Sequence, residues 1–526
     1  MEERVFDSLG GSQYIVKAKR PMEFEKADIA FAFGMLVCGF LFWNLIHPFS
    51  LGAGVSIFSL IICATTFFYM YKSGMKQNFR SLVCLALVFL SAVQFSIFDL
   101  MIIKGLDFLF LMMVYVYWVC LTTGRPIEKK LSIYIIGDAI LQFIILPFSN
   151  FICCACGVKN SVHNHKSGKN ILSLLIGIVV FLPILIGVIH LLISADMAFE
   201  HFAGKIYALI RPEQFFGYAW QFLLGIPVAS YLYGLVYGNV KERYTDELER
   251  ESMDQLAVSV RFAPRLTIYS ALTAFNTVYF VFFAVQAVYF FSAFQGTLPE
   301  TFTYAEYARR GFFELCTVAG INLAILTATY TVIKRDRAEE PRTLRIQVAC
   351  VSAFTMLLII TAFSKMVMYI QSYGLTQLRV FTSWFMLLLF LIFLVVLVRQ
   401  IKKFNASRVI IIGFIVLFMA LAHMNVDGMI AKYNIQRYKA DQSVAFDISA
   451  MADLSDAAVP YLYDLYLELD AADTDENVLK EELKLILTEQ YRREIMTSQT
   501  PGTNDFRDFN WQRYRADQIR AELSQL

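Results

Sequence analysis

Apolar runs close to twenty residues long recur along this chain up to position 424, and no other feature restricts its fold as strongly. A run of that length crosses a hydrocarbon core of ~30 Å as a helix, because each residue rises about 1.5 Å and every backbone N–H must find its carbonyl within the segment. Eleven runs qualify, at 28–46, 53–71, 81–98, 106–122, 171–193, 216–237, 266–292, 311–333, 346–370, 380–398 and 409–424. Hydrophobic residues make up 57% of the 526 residues and charged ones only 17%, which excludes a soluble globular protein of ordinary composition. The expected fold class is all-α: a polytopic transmembrane bundle of about 11 spans with a small C-terminal soluble helical domain.

A twelfth stretch, "LSIYIIGDAILQFIILPFSN" at 131–150, is long enough to span but carries Asp138, Gln142 and Pro147. Its treatment decides the orientation of everything after it. With 131–150 lying in the interface or re-entering, 28 Lys and Arg fall in connections of one parity and 6 in the other. Cationic loops stay in the cytoplasm, so the chain reads as follows. Residues 1–27 are a cytoplasmic segment, with the first span acting as targeting signal. Residues 28–170 are N-terminal transmembrane helices plus the interfacial segment, 171–424 the main bundle, and 425–526 an extracytoplasmic domain. The location implied is a bacterial inner membrane.

The tail differs in charge as well as in hydropathy. It holds 19 acidic and 11 basic side chains, a balance of −8 that leaves +10 for the rest of the chain. Helices are predicted after Ser455 and after Thr474, each with N-capping chemistry and acids in the first turn, and again at 511–523.

Ionisable residues at membrane depth cost several kcal/mol unless paired or hydrated, and so mark candidate sites. Glu314, Lys365, Arg379, His423, Asp427 and Asp196 all fall near the extracytoplasmic ends of their spans. Lys365 with Glu314 is the expected pair, since each compensates the other. The structural alternative is snorkelling cations and counter-ions that hold the bundle together. Deeper in their spans, Asn276, Gln286 and Asn322 suit hydrogen bonds between helices.

Other motifs are weaker. "CCACGVKNSVHNH" places Cys153, Cys154, Cys156, His163 and His165 within thirteen residues, a density that can bind zinc, although the spacing matches no common ligand pattern. The remaining Cys sit singly in apolar runs and behave as small hydrophobes. The charged loop 238–265 could dock a protein partner or stand as a solvated helical hairpin. Basic loops without interleaved aromatics suit anionic headgroups rather than nucleic acid. No phosphate-binding loop, nucleophile elbow, zinc-protease helix or dinucleotide fingerprint is present, and no cofactor is implied.

Four stretches resemble an uncharacterised bacterial membrane family, domain of unknown function 4173, and its relative 4153. They are "LLISADMAFEHF", "TYAEYARRGFFEL", "YGLTQLRV" and "NVDGMIAKYNIQRY". The resemblance runs over about 171–470 and points, residue by residue, to Asp196, Tyr304, Glu306, Tyr307, Arg310, Glu314, Tyr373, Arg379, Asn425, Asp427, Asn434 and Arg437. All lie at the predicted extracytoplasmic rim.

Three functions fit these residues. The first is a membrane protein whose rim pocket binds, senses or handles an envelope lipid or small molecule. The second is a secondary transporter using Glu314 and Lys365. The third is a transferase acting on lipid-linked substrates with a rim carboxylate as general base. The topology itself predicts that a single thiol introduced beyond Ser455 reacts with a membrane-impermeant maleimide in intact cells; protection until lysis would reverse the orientation.

Overall fold

The computed structural model describes residues 24–48, 50–164, 212–294, 312–334, 341–441, 446–471, 477–497 and 505–523, with a few isolated positions elsewhere. Long apolar helices dominate it, and their ends follow local chemistry. Helices α1 (Lys26–Leu45), α2 (Ala53–Lys72), α3 (Phe79–Ile97) and α4 (Met101–Thr123) come first. Asn78 and Ser81 exchange backbone-to-side-chain bonds of 2.9 Å that open α3, a capping box. Next come a broken helix α5 (Ile135–Ser149), α6 (Cys153–Asn164), α7 (Pro212–Val240) and the short α8 (Arg250–Ser259). Helices α9 (Arg265–Phe294), α10 (Phe312–Val332), α11 (Arg342–Tyr373), α12 (Gln377–Ile401) and α13 (Ala406–Ala422) complete the apolar set. The tail folds as α14 (Val426–Ala440), α15 (Ile448–Ala452), α16 (Val459–Ala471), α17 (Asn477–Thr497) and α18 (Trp511–Leu523). A two-residue antiparallel pair joins Glu3–Arg4 to Ile15–Val16.

Among the described residues, nine helices are long and apolar enough to cross a membrane, or up to 11 if each bent pair is one span. The pairs are α5 with α6, bent by 41°, and α13 with α14, bent by 62°. Ten of the eleven predicted runs therefore coincide with described helices; the run 171–193 lies outside the described residues. Phe33, Val37, Leu60, Phe68, Leu90, Val278 and Phe280 are exposed on the outer faces of these helices. Only hydrocarbon solvates so much apolar surface without penalty. This is a multi-pass membrane protein.

Contacts between helix ends sort the two ends of the bundle. At the basic end, Lys241 lies 3.2 Å from buried Asp28, Asn78 donates to Leu121 O at 2.9 Å, Lys334 N donates to Ala263 O at 3.0 Å, and Arg345 Nε reaches Gln400 O at 3.1 Å. The stretch 131–150 starts and finishes at that same end. Leu131 O accepts from Arg408 Nε at 3.4 Å, and Asn150 Oδ1 accepts from Arg243 Nε at 3.0 Å. Between them the chain leans on α7, where Gln142 and Asn239 pair their amides at 2.7 and 3.1 Å. Pro147 has no N–H to offer the Phe143 carbonyl one turn back, and the Tyr231 hydroxyl donates to it instead at 2.9 Å. The local widening into a π-turn over Leu141–Ile145 is the backbone's adjustment to that lost bond.

Three cores hold the molecule. One joins α1–α4, α6, α7 and α13, a second joins α9–α12, and the third joins α14–α18 to Ile103, Leu421 and Ala422 at the end opposite the basic loops. Within the first, α1 and α7 cross backbone to backbone. A Cβ on Gly225 would stand 2.7 Å from the Gly39 carbonyl, and one on Gly39 would collide with the Gly225 oxygen. Small residues at such a crossing supply packing where lipid gives helices no hydrophobic reason to associate. Gly39→Ala is therefore expected to lower the midpoint of thermal unfolding in detergent, by a cost of about 1–3 kcal/mol. Gly320→Ala, whose Cβ meets nothing within 4 Å, should raise it or leave it unchanged.

Candidate functional site

The turn between α11 and α12 gathers several of the residues that the motifs single out. Gly374 ends α11 with φ +79°, a left-handed conformation that glycine adopts without strain, and its N–H returns to Ile370 O at 2.8 Å. From α14, Asn434 clasps the turn from both sides: its Oδ1 accepts from Leu375 N and its Nδ2 donates to Leu375 O, both at 2.8 Å. Arg437 donates to Ser372 O. Arg379 folds back to donate to Tyr373 O at 3.0 Å and to Gly374 O, with its guanidinium 4.1 Å above the Tyr369 ring. "YGLTQLRV" and "NVDGMIAKYNIQRY" are thus two halves of one clasp.

Beside the clasp opens a cleft of about 580 Å³. Tyr373, Tyr438, Phe446 and Met451 supply apolar wall, while Arg437 and Asp447 supply charge. Asp447 caps α15, accepting from Ser449 Oγ at 2.7 Å and Ala450 N at 3.1 Å. These bonds, helped by the Arg379 charge, hold its carboxyl below the ordinary value.

Asp427 sits elsewhere. It is 1% exposed; Gln377 Nε2 donates to its Oδ1 at 2.9 Å and Ser455 N to its Oδ2 at 2.8 Å, so it ties α12 and α14 to the start of α16. The Ser455 hydroxyl does not cap the following turn as its position predicts; its backbone N–H is engaged by Asp427. Asn425 caps α14 through Gly428 N at 3.2 Å and accepts from Gln512 at 3.1 Å.

The remaining candidates are dispersed. Glu314, exposed in the first turn of α10, acts electrostatically on half-buried Lys365 of α11. His423 bridges Met419 O and Leu90 O at 2.9 and 3.1 Å. Asp196, Tyr304, Glu306, Tyr307 and Arg310 lie outside the described residues. Asn322 Nδ2 donates to Thr355 at 2.8 Å and Asn276 to Gln347 O at 3.2 Å, bonds between spans as expected; the Gln286 side chain is outside the described residues. Cys153 and Cys154 are buried, with Cys154 Sγ 4.0 Å from Ala32 O, and Cys156 is half-buried. The His163 side chain and His165 are not among the described residues. Helix α8, in the loop 238–265, buries none of its side chains.

Two polar groups escaped the sequence reading because their members are hundreds of positions apart. Buried Lys104 lies 3.0 Å from Asp99, Arg513 approaches Asp99 and Asp456 at 3.8 and 3.5 Å, and Arg520 meets Asp456 at 2.5 Å. Nothing marked Lys104 beyond its place in a connection between spans. The second group, His47, Asp505 and Asp508, is the described cluster dense enough to hold a metal ion. His47 Nδ1 is 2.8 Å from Asp508, but the Arg507 guanidinium already lies 2.6 Å from Asp505 and holds its carboxyl below the ordinary value.

The family model described as Domain of unknown function (DUF4153) matches residues 82–465. The chain belongs to the DUF4153 family. Of the two families whose motifs it resembles, 4153 is the one that matches. No curated protein and no solved structure matches the chain. The DUF4153 stretch runs from α3 into α16 and contains the clasp, the cleft and Asp427 in full, whereas α1, α2, α17 and α18 fall outside it.

Gly374→Ala would strain the turn and drive a Cβ into Asn434, so a loss of about 1–3 kcal/mol is expected in thermal unfolding. The Asp447 bonds are present above the ordinary carboxylate range and are lost as pH falls through its lowered value. Protection from hydrogen exchange at 448–452, relative to the intrinsic rate at each pH, should accordingly fall only below about pH 4; a fall already near pH 6 would contradict this origin.

Proposed function

We propose that this protein sits in a bacterial inner membrane with its basic end in the cytoplasm and α14–α18 outside, and that the cleft beside the clasp binds an envelope lipid or other envelope small molecule. The observation that carries the reading is the composition of the cleft. Aromatic and aliphatic walls from α11, α14 and α15 meet one guanidinium and one carboxylate within about 580 Å³, the mixture that orients an amphiphilic ligand. Its place at the end opposite the basic loops fits the topology that the positive-inside rule favours.

Binding is preferred to catalysis because the rim carboxylates do not converge. Asp427 is spent on two hydrogen bonds away from the cleft, Asp447 caps a helix, and Glu314, on α10, acts electrostatically on Lys365. Transport through the described bundle is less favoured, since deep amides such as Gln142, Asn239 and Asn322 are bonded to one another or to neighbouring spans.

The test is to fill the cleft without removing a polar contact. Ala450→Trp, at a half-buried lining position, is expected to abolish the envelope species that native mass spectrometry finds on wild-type protein reconstituted with bacterial membrane extract, with thermal stability unchanged. Retention of the same species at the same occupancy would exclude the cleft as the binding site.

A further inference from the structure

Beneath the docked tail, where α3, α4 and the starts of α14 and α16 meet, lies a second and much smaller cavity of about 10 Å³. That is room for one water-sized species. Gln94, Asn425, Asp427, Ser455 and Gln512 contribute to its lining, amid Leu100, Ile103 and Val426.

Two observations there are independent of each other. First, Gln94 is 0% exposed, and neither its Nε2 nor its Oε1 has a hydrogen-bond partner among the described residues; the Ser455 hydroxyl is likewise unpartnered. Buried polar groups in folded proteins are normally satisfied. Second, Asp427 is a buried carboxylate with no cation within 4.0 Å among the described residues. Its two hydrogen bonds come from neutral donors, an amide and a backbone N–H, and its place in the first turn of α14 adds the positive end of a helix dipole, but no cationic side chain among the described residues balances the full negative charge. The nearby cations are committed: Lys104 to Asp99, Arg513 to Asp99 and Asp456, and Arg520 to Asp456 and Asp517.

We infer that this cavity binds one monovalent metal cation of about sodium's size, with the Asp427 carboxylate as counter-charge and Gln94 and Ser455 oxygens as further ligands. A neutral water would answer the unpartnered amide but not the charge. A divalent ion facing a single carboxylate would leave an unbalanced positive charge. Every donor is a hard oxygen, as such a cation prefers. Because these ligands come from α3, from α14 and from the turn before α16, the ion would join the tail to the transmembrane bundle. Binding to the folded state alone stabilises it by mass action. The inference does not depend on what the cleft beside the clasp binds.

The experiment uses full-length protein in nanodiscs, with NaCl exchanged for choline chloride at constant ionic strength. Wild-type protein should show a melting temperature that rises by several degrees with sodium and saturates, and should bind one ²²Na⁺ per chain in equilibrium dialysis. Asp427→Asn should melt at a single, sodium-independent temperature. Gln94→Leu, which keeps the carboxylate, should bind ²²Na⁺ at least tenfold more weakly. Identical melting in sodium and choline, or no bound ²²Na⁺ on wild-type protein, would leave water as the occupant and overturn the inference. Displacement of ²²Na⁺ by equimolar Ca²⁺ would overturn its monovalent character. Should Asp427→Asn fail to fold, the wild-type and Gln94→Leu dialysis decides the question.

Discussion

Everything in this molecule rests on the absence of water between the two faces of a bilayer. A backbone there must bond to itself, so the apolar runs become helices, and polar groups survive only where a partner can be brought to them. The structure meets that condition locally. Tyr231 serves the carbonyl that Pro147 cannot, Gln142 and Asn239 satisfy each other, and Asn322 bonds to Thr355. Helices then pack by shape rather than by hydrophobicity, most closely where Gly39 meets Gly225.

Water and protein compete for polar groups only at the ends of the bundle, and the two ends are built differently. The basic end is a set of short links between cations and carbonyls or carboxylates. The other end is covered by α14–α18, whose core shares Ile103, Leu421 and Ala422 with the spans. Docking of this kind lets buried charges such as Lys104, Asp99, Asp456 and Arg520 exist at all, because each is paired on desolvation. It also explains why the tail can be acidic without standing apart from the membrane portion.

The clasp shows how a motif can be prominent in sequence for reasons of architecture. Asn434, Arg437 and Arg379 bond to backbone carbonyls and to one N–H of the turn. The cleft lies beside this clasp and shares Tyr373, Asn434 and Arg437 with it. Positions that looked like one polar ring in the sequence are, in space, a clasp, a buried carboxylate, a bridging histidine and a glutamate that acts on Lys365 electrostatically.

Sequence alone determined the helical class, ten of the described apolar helices and the shared end of the basic loops, because these follow from hydropathy and charge summed over contiguous residues. It also singled out Asn434, Arg437, Tyr373 and Asp427 through their motifs. Only the tertiary structure decided that the first three meet at one turn while Asp427 points into a separate cavity with Gln94. It alone joined Asp99 to Arg513 and His47 to Asp508. Such pairings depend on the direction of each side chain and on which helix end lies beside which, and neither is encoded in any local window of the chain.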